Sequence, residues 1–134
     1  MSGPLIFIAT NRLKEGRFDA ERQRVPELVR FIEANEPRLI AFNEYVNDDR
    51  TEVTVVQVHP DAASMEYHMG VVAGHARQAY AQTLEATTGI QVFGAASGSM
   101  LRMLREQAGS GLALSTYAQT SAASREPASR VLET

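Results

Sequence analysis

The sequence predicts an α+β domain in the split βαβ, ferredoxin-like order β-α-β-β-α-β, extended by one further helix and strand. Three observations carry that prediction. Short β-branched and aromatic runs near 5–9, 38–47 and 51–59 read as strands. Two stretches, 18–35 and 61–86, repeat apolar residues at helical spacing. The two middle strands flank a polar turn, Asn47-Asp48-Asp49-Arg50, so a hairpin separates the helices. A chain of 134 residues is long enough to bury one continuous core, with residues 1–120 as a single domain and 121–134 as a loose tail poor in apolar residues.

The elements follow in order. Pro4 to Thr10 is bounded by Gly3 and by the polar stretch Asn11 to Arg17, which gives a buried first strand. Val25, Leu28, Val29 and Ile32 then form one helical stripe over Phe18 to Asn35; Pro26 implies a kink or a start near that point, and Asn35-Glu36-Pro37 ends the helix. In the hairpin, counting outward from Asp48 and Asp49 sets Val46 against Thr51 and Glu44 against Val53. One face then carries Ile40, Phe42, Glu44, Val46, Val53 and Val55, and the other Leu39, Ala41, Asn43, Tyr45, Thr54 and Val56. Neither face is purely polar, so helices should cover one and a second subunit the other. Pro60-Asp61 opens a helical stretch with Met65, Met69, Val72, Ala76 and Tyr80 in register, weakened by Gly70 and Gly74, near which a bend or break is expected. Gly89 to Ala95 reads as a fourth strand, Ser99 to Gln107 as a short helix, Gly109-Ser110-Gly111 as a turn and Leu112 to Thr120 as an extended piece.

Composition excludes several functions. Apolar runs such as Leu5 to Ala9 are too short to cross a bilayer, and 13 basic against 16 acidic side chains make no positive field for nucleic acid. Without cysteine there is no disulfide, thiolate metal site or cysteine nucleophile, and the Met-Ser-Gly-Pro start lacks a signal peptide's features, so a cytoplasmic location is expected. No His-Glu-x-x-His, nucleophile elbow or dinucleotide fingerprint occurs. Gly94-Ala-Ala-Ser-Gly98 could offer N–H groups to an anion, but it reads first as a strand-to-helix turn capped by Ser97 or Ser99.

The strand Leu5-Ile-Phe-Ile-Ala-Thr-Asn-Arg12, the turn Lys14-Glu-Gly-Arg17, the hairpin strands Leu39 to Tyr45 and Val53 to His59, and the helix Ser64-Met-Glu-Tyr-His-Met69 together resemble the dimeric α+β barrel superfamily, in the group that includes antibiotic-biosynthesis-monooxygenase-like domains. The resemblance covers about residues 4–97 and is one of element order. It implies a homodimer that pairs two sheets into a barrel, a small-molecule pocket between sheet and helices, and activity as a monooxygenase or isomerase that needs no cofactor, on a small aromatic or polyketide-like compound. The haem-degrading branch is similar in having an asparagine at the end of the first strand and a histidine on the second long helix, places that Asn11 and His75 roughly occupy; its tryptophan has no counterpart in this Trp-free chain. A binding or dimerisation module without turnover is the competing reading.

Within that frame, Glu44 and His75 are the candidate proton acceptors, and Asn11, Asn43, Tyr45, His68 and Tyr80 the candidate ligand contacts. Glu44 shares a strand face with Phe42 and Val53, where desolvation would raise its pKa and suit a general base; an ion pair with an arginine such as Arg12 is the plain alternative. His68 and His75 lie within about 20° of each other on one helix, at the edge of its apolar stripe, but about 10.5 Å apart along the axis. That is too far for one metal ion unless the helix breaks at Gly70 or Gly74, so no metal site is expected. Each can act singly as a proton shuttle. Asn43, Glu44, Tyr45, Gln57 and His59 are polar groups in apolar strands and need partners, a ligand or a dimer mate.

Overall fold

Residues 3–109 and 112–123 are described by a computed structural model. The strand β1 (Leu5–Leu13) alternates strictly, burying Leu5, Phe7, Ala9, Asn11 and Leu13 on one face, and it occupies the middle of the sheet. Helix α1 (Phe18–Asn35) follows and continues through Pro26, whose side is exposed, so the proline neither starts nor ends it. Leu28 and Ile32 are its buried stripe. The hairpin is β2 (Ala41–Val46) and β3 (Glu52–His59).

Helix α2 (Ala62–Val71) is capped by Asp61, whose carboxylate accepts the Ser64 N–H at 2.9 Å. The helical stretch expected over 61–86 is divided near its glycines, where a bend or break is expected: Val72 leaves helical geometry at φ −94°, ψ 6°, midway between Gly70 and Gly74, and α3 (Ala73–Gln82) begins after it. Strand β4 (Leu84–Phe93) starts five residues before the expected Gly89, because Leu13 and Arg12 of β1 supply pairing partners for Leu84 and Ala86. Helix α4 (Gly98–Ala108) and strand β5 (Ala113–Tyr117) complete the order. The expected tail falls mostly in 124–134, outside the described residues, as do Ser110 and Gly111 of the expected turn.

The sheet order is β2-β3-β1-β4-β5, antiparallel except for the parallel pair β4 and β5. This is the ferredoxin-like topology with a helix and strand appended. The expected barrel is not formed. A barrel closes only when the two outermost strands pair, and here β5 adds beside β4, at the end of the sheet farthest from β2, leaving the sheet open.

The hairpin register also differs from the outward count. Val46 faces Val53 and Glu44 faces Val55, a shift of two residues. Asn47 causes it: its Oδ1 accepts the N–H groups of Thr51 and Glu52, both at 3.0 Å, and Arg50 adopts φ +61°, so the loop is longer than two residues. A shift of two leaves every side chain on its expected face.

All four helices cover the face that carries Phe7, Phe42, Gln57 and Ile90. The other face, with Ile6, Ile8, Val56, Val58, Phe93 and Tyr117, has no helix over it among the described residues. Gly94 allows the chain to leave β4: its φ is +111°, and a Cβ there would lie 2.5 Å from the Pro4 carbonyl oxygen.

Candidate active site

Between the helices and the sheet lies a cavity of about 120 Å³, room for a small organic molecule rather than a single water. Its walls are apolar where Phe7, Leu28, Phe42, Val55, Met65 and Ile90 meet, and Asn11, Arg24, Gln57, His68, His75 and Tyr80 break that surface with polar groups. Three hydrogen-bonded networks hold His68, Gln57, and Asn11 with Tyr80.

The first is a histidine–carboxylate dyad. His68, on α2, is 4% exposed, and its Nδ1 donates to Glu36, 2.9 Å from both carboxylate oxygens. Glu36 is the capping residue at the end of α1, so the helix terminus delivers the carboxylate. With Nδ1 engaged and no partner at Nε2 among the described residues, Nε2 is the atom that a ligand in the cavity meets. A neutral His68 therefore presents a lone pair there. Glu36 fixes the ring's orientation and tautomer.

The second network fixes Gln57. His59 is fully buried, and burial first, then the neighbouring His68, pushes its pKa down to about 4, so the ring is neutral near pH 7. Its Nε2–H donates to Gln57 Oε1 at 2.9 Å, and its Nδ1 accepts the Ser64 hydroxyl at 2.8 Å. Gln57 then offers its amide N–H groups to the cavity.

The third fixes Asn11. Thr87 donates to Asn11 Oδ1 at 2.6 Å, and Tyr80, with that hydroxyl's proton spent, donates to Thr87. The chain leaves the Asn11 amide N–H groups for a ligand. Two amide donors, from β1 and β3, thus line the same cavity as the His68 ring.

Glu44 sits behind this site. Burial, then its hydrogen bond and charge repulsion with Glu21, raises its pKa to about 9, so it is protonated at neutral pH and donates to Glu21. Glu21 is fully buried and is held ionised by Arg24, at 3.0 and 2.7 Å, and by the Thr83 hydroxyl at 2.7 Å. Arg24, not Glu44, reaches the cavity wall. In place of the alternative ion pair with an arginine such as Arg12, Glu44 makes this acid–carboxylate pair.

Asn11, His68, His75 and Tyr80 from the sequence candidates meet at the cavity. His75 lies against Phe31, ring centres 4.5 Å apart. Asn43 and Tyr45 alternate onto the opposite, exposed sheet face and do not reach it. Sequence reasoning does not single out Arg24 as a cavity group or Glu36 as the partner of His68. Glu36 carried only a helix-end signal, and Gln57 was visible as a polar residue in an apolar strand. At the Gly94–Gly98 turn Ser97 is the helix cap, accepting the Met100 N–H, and the Ser97 and Ser99 hydroxyls donate to Glu66 at 2.8 and 2.9 Å. Among the described residues no three His, Asp or Glu side chains group as metal ligands, and no helix is long and apolar enough to cross a membrane.

No protein-family model and no curated protein matches the sequence. Solved structures do match the fold. MupZ from Pseudomonas fluorescens superposes with a TM-score of 0.70 at 15% identity, over 92% of this chain and 95% of that one. A protein from Caulobacter crescentus described as a candidate antibiotic biosynthesis monooxygenase gives 0.62 at 14% identity, over 72% and 92%. A crystal structure named antibiotic biosynthesis monooxygenase gives 0.58 at 20% identity, over 69% and 99%. The chain shares its ferredoxin-like fold with these structures.

Proposed function

We propose that the protein is an enzyme of proton transfer, an isomerase or monooxygenase that removes a proton from carbon beside a carbonyl in a small aromatic or polyketide-like compound. The observation that carries this reading is the meeting in one apolar cavity of the His68–Glu36 dyad with the Asn11 and Gln57 amides. His68 Nε2 takes the proton, and Glu36 steadies the resulting imidazolium. The electron pair left on carbon moves to the carbonyl oxygen, where the two amides donate hydrogen bonds. An isomerase returns the proton at another carbon; a monooxygenase delivers the carbanion to dioxygen. The base, its orienting acid and the oxyanion donors are all side chains, so the proton transfer needs no cofactor. The names of the similar structures support the monooxygenase branch and not its substrate.

Deuterium exchange at the acidic methylene of 2-tetralone in D2O, followed by NMR, tests the reading. The wild type should exceed the buffer rate, His68→Gln should lose at least about 100-fold of the excess, and Asn11→Leu about 10-fold or more. Equal exchange in wild type and His68→Gln would sink it.

The uncovered sheet face supports a homodimer, because a contiguous apolar patch of this kind is uncommon on a monomer. Light scattering at micromolar concentration should give twice the 14.7 kDa of one chain, and Ile6→Glu should halve that mass. A wild-type mass near 14.7 kDa would end the dimer claim. A cytoplasmic location fits the cysteine-free composition.

A further inference from the structure

Behind the dyad lies a second hollow, of about 220 Å³, framed by Glu36, Pro37, Arg38, Leu39, Ser64 and Tyr67. No residue lines both the hollow and the cavity, yet two hydrogen-bonded chains join them. One runs from Glu36 in the hollow to His68 in the cavity, and the other from Ser64 through His59 to Gln57. The rim is solvent-facing: Pro37, Arg38 and Tyr67 are exposed, and Arg38 pairs with Asp61 at its edge.

We propose that this hollow is a proton port for His68, through which Glu36 exchanges the Nδ1 proton with bulk water while a ligand fills the cavity. The inference rests on the reading of His68 as the base. Once Nε2 has taken the substrate proton, the imidazolium gives its Nδ1 proton to a Glu36 oxygen, and Glu36 releases that proton to water in the hollow. The ring is then neutral, with its hydrogen on Nε2 facing the enolate. Return of that hydrogen to product, with reprotonation of Nδ1 from water through Glu36, resets the site. No charge or atom is left over.

The geometry favours a port over a mere brace. Holding a ring tautomer needs only a carbonyl oxygen, whereas an acid that both bonds the ring and lines a separate hollow can accept a proton and release it. The neighbouring chain cannot do the same. Its Ser64 hydroxyl donates inward to a neutral His59, so that chain orients Gln57.

Exchange of the His68 Nδ1–H with water, measured by NMR on 15N-labelled protein, tests the port without needing turnover. The absence of cysteine lets a single Ala76→Cys, capped with benzyl methanethiosulfonate, plug the cavity. Leu39→Trp fills the hollow, and Tyr67→Ala, at an exposed position, widens it. The port predicts that the plug changes the exchange rate less than twofold, Leu39→Trp slows it tenfold or more, and Tyr67→Ala speeds it. A plug that slows exchange tenfold, with no change in Tyr67→Ala, would overturn the port. The base reading fails separately, by unchanged 2-tetralone exchange in His68→Gln.

Discussion

At the scale of single residues, the buried ionisable groups set how stability follows pH. His59 is held below its unfolded pKa, so the unfolded chain binds a proton that the folded chain refuses as pH falls from about 6.5 to about 4. Stability should therefore drop through that window, on the order of 2 kcal/mol from this residue. Urea melts at pH 7 and pH 4.5 check it, and a flat profile would mean that His59 is not buried neutral. Glu44 runs the other way. Its folded pKa lies above the unfolded value, so its contribution is full below about 4.5 and is lost as pH rises toward 9. Glu44→Gln keeps a neutral donor to Glu21; it should melt within about 1 kcal/mol of wild type at pH 4.5 and, with no proton to lose, should be the more stable of the two at pH 7 and lose less stability between pH 7 and 9. Glu21→Ala leaves the Arg24 charge and the Thr83 hydroxyl without their partner and should cost about 3 kcal/mol. The sequence pointed to Glu44 because a carboxylate beside Phe42 must be desolvated. It could not name Glu21, since that contact joins a helix to a strand 23 positions away.

Among the elements, the strands and α1 were legible because their signals are local: period-two alternation in β1, and a stripe ending at Asn35-Glu36-Pro37. What escaped was set by partners distant in sequence. The early start of β4 depends on β1 offering Arg12 and Leu13 for pairing, and the hairpin register on one Asn47 side chain. The break at Val72 is where paired glycines act as weak points, and it frees α3 to place His75 and Tyr80 around the cavity. Helix α4 forms the far wall with Leu104, and Ser97 ties it both to its own Met100 N–H and to Glu66 of α2. Ser97→Ala should cost about 1–2 kcal/mol, with Glu66→Ala costing less on that background than alone, because one of its two contacts, with Ser97 and Ser99, is then already gone. Additive losses in a double-mutant cycle would show that the tie is not a unit.

For the molecule as a whole, topology does the assembling. Three polar networks that begin on α1, β1 and β3 converge only because β1 is central and every helix lies on one side of it. Part of the cavity follows from the alternation of β1, which carries Asn11 inward, and from the α2 stripe, which carries His68 to its edge. The dyad partner Glu36 follows from neither, because a helix end and a helix face 32 residues apart meet only in the folded chain. The barrel expected from resemblance fails at this scale too: strand count and pattern fit, but β5 extends the sheet instead of closing it.

The convergence of His68, Asn11 and Gln57 on one ligand is the central claim, and 2-naphthol, which mimics the enol of 2-tetralone, tests it most directly. On titrating it into 15N-labelled protein, the His68 ring nitrogens and the Asn11 and Gln57 side-chain amides should shift together with a single dissociation constant. If those signals stay still while only residues of the exposed sheet face move, the cavity is not the site.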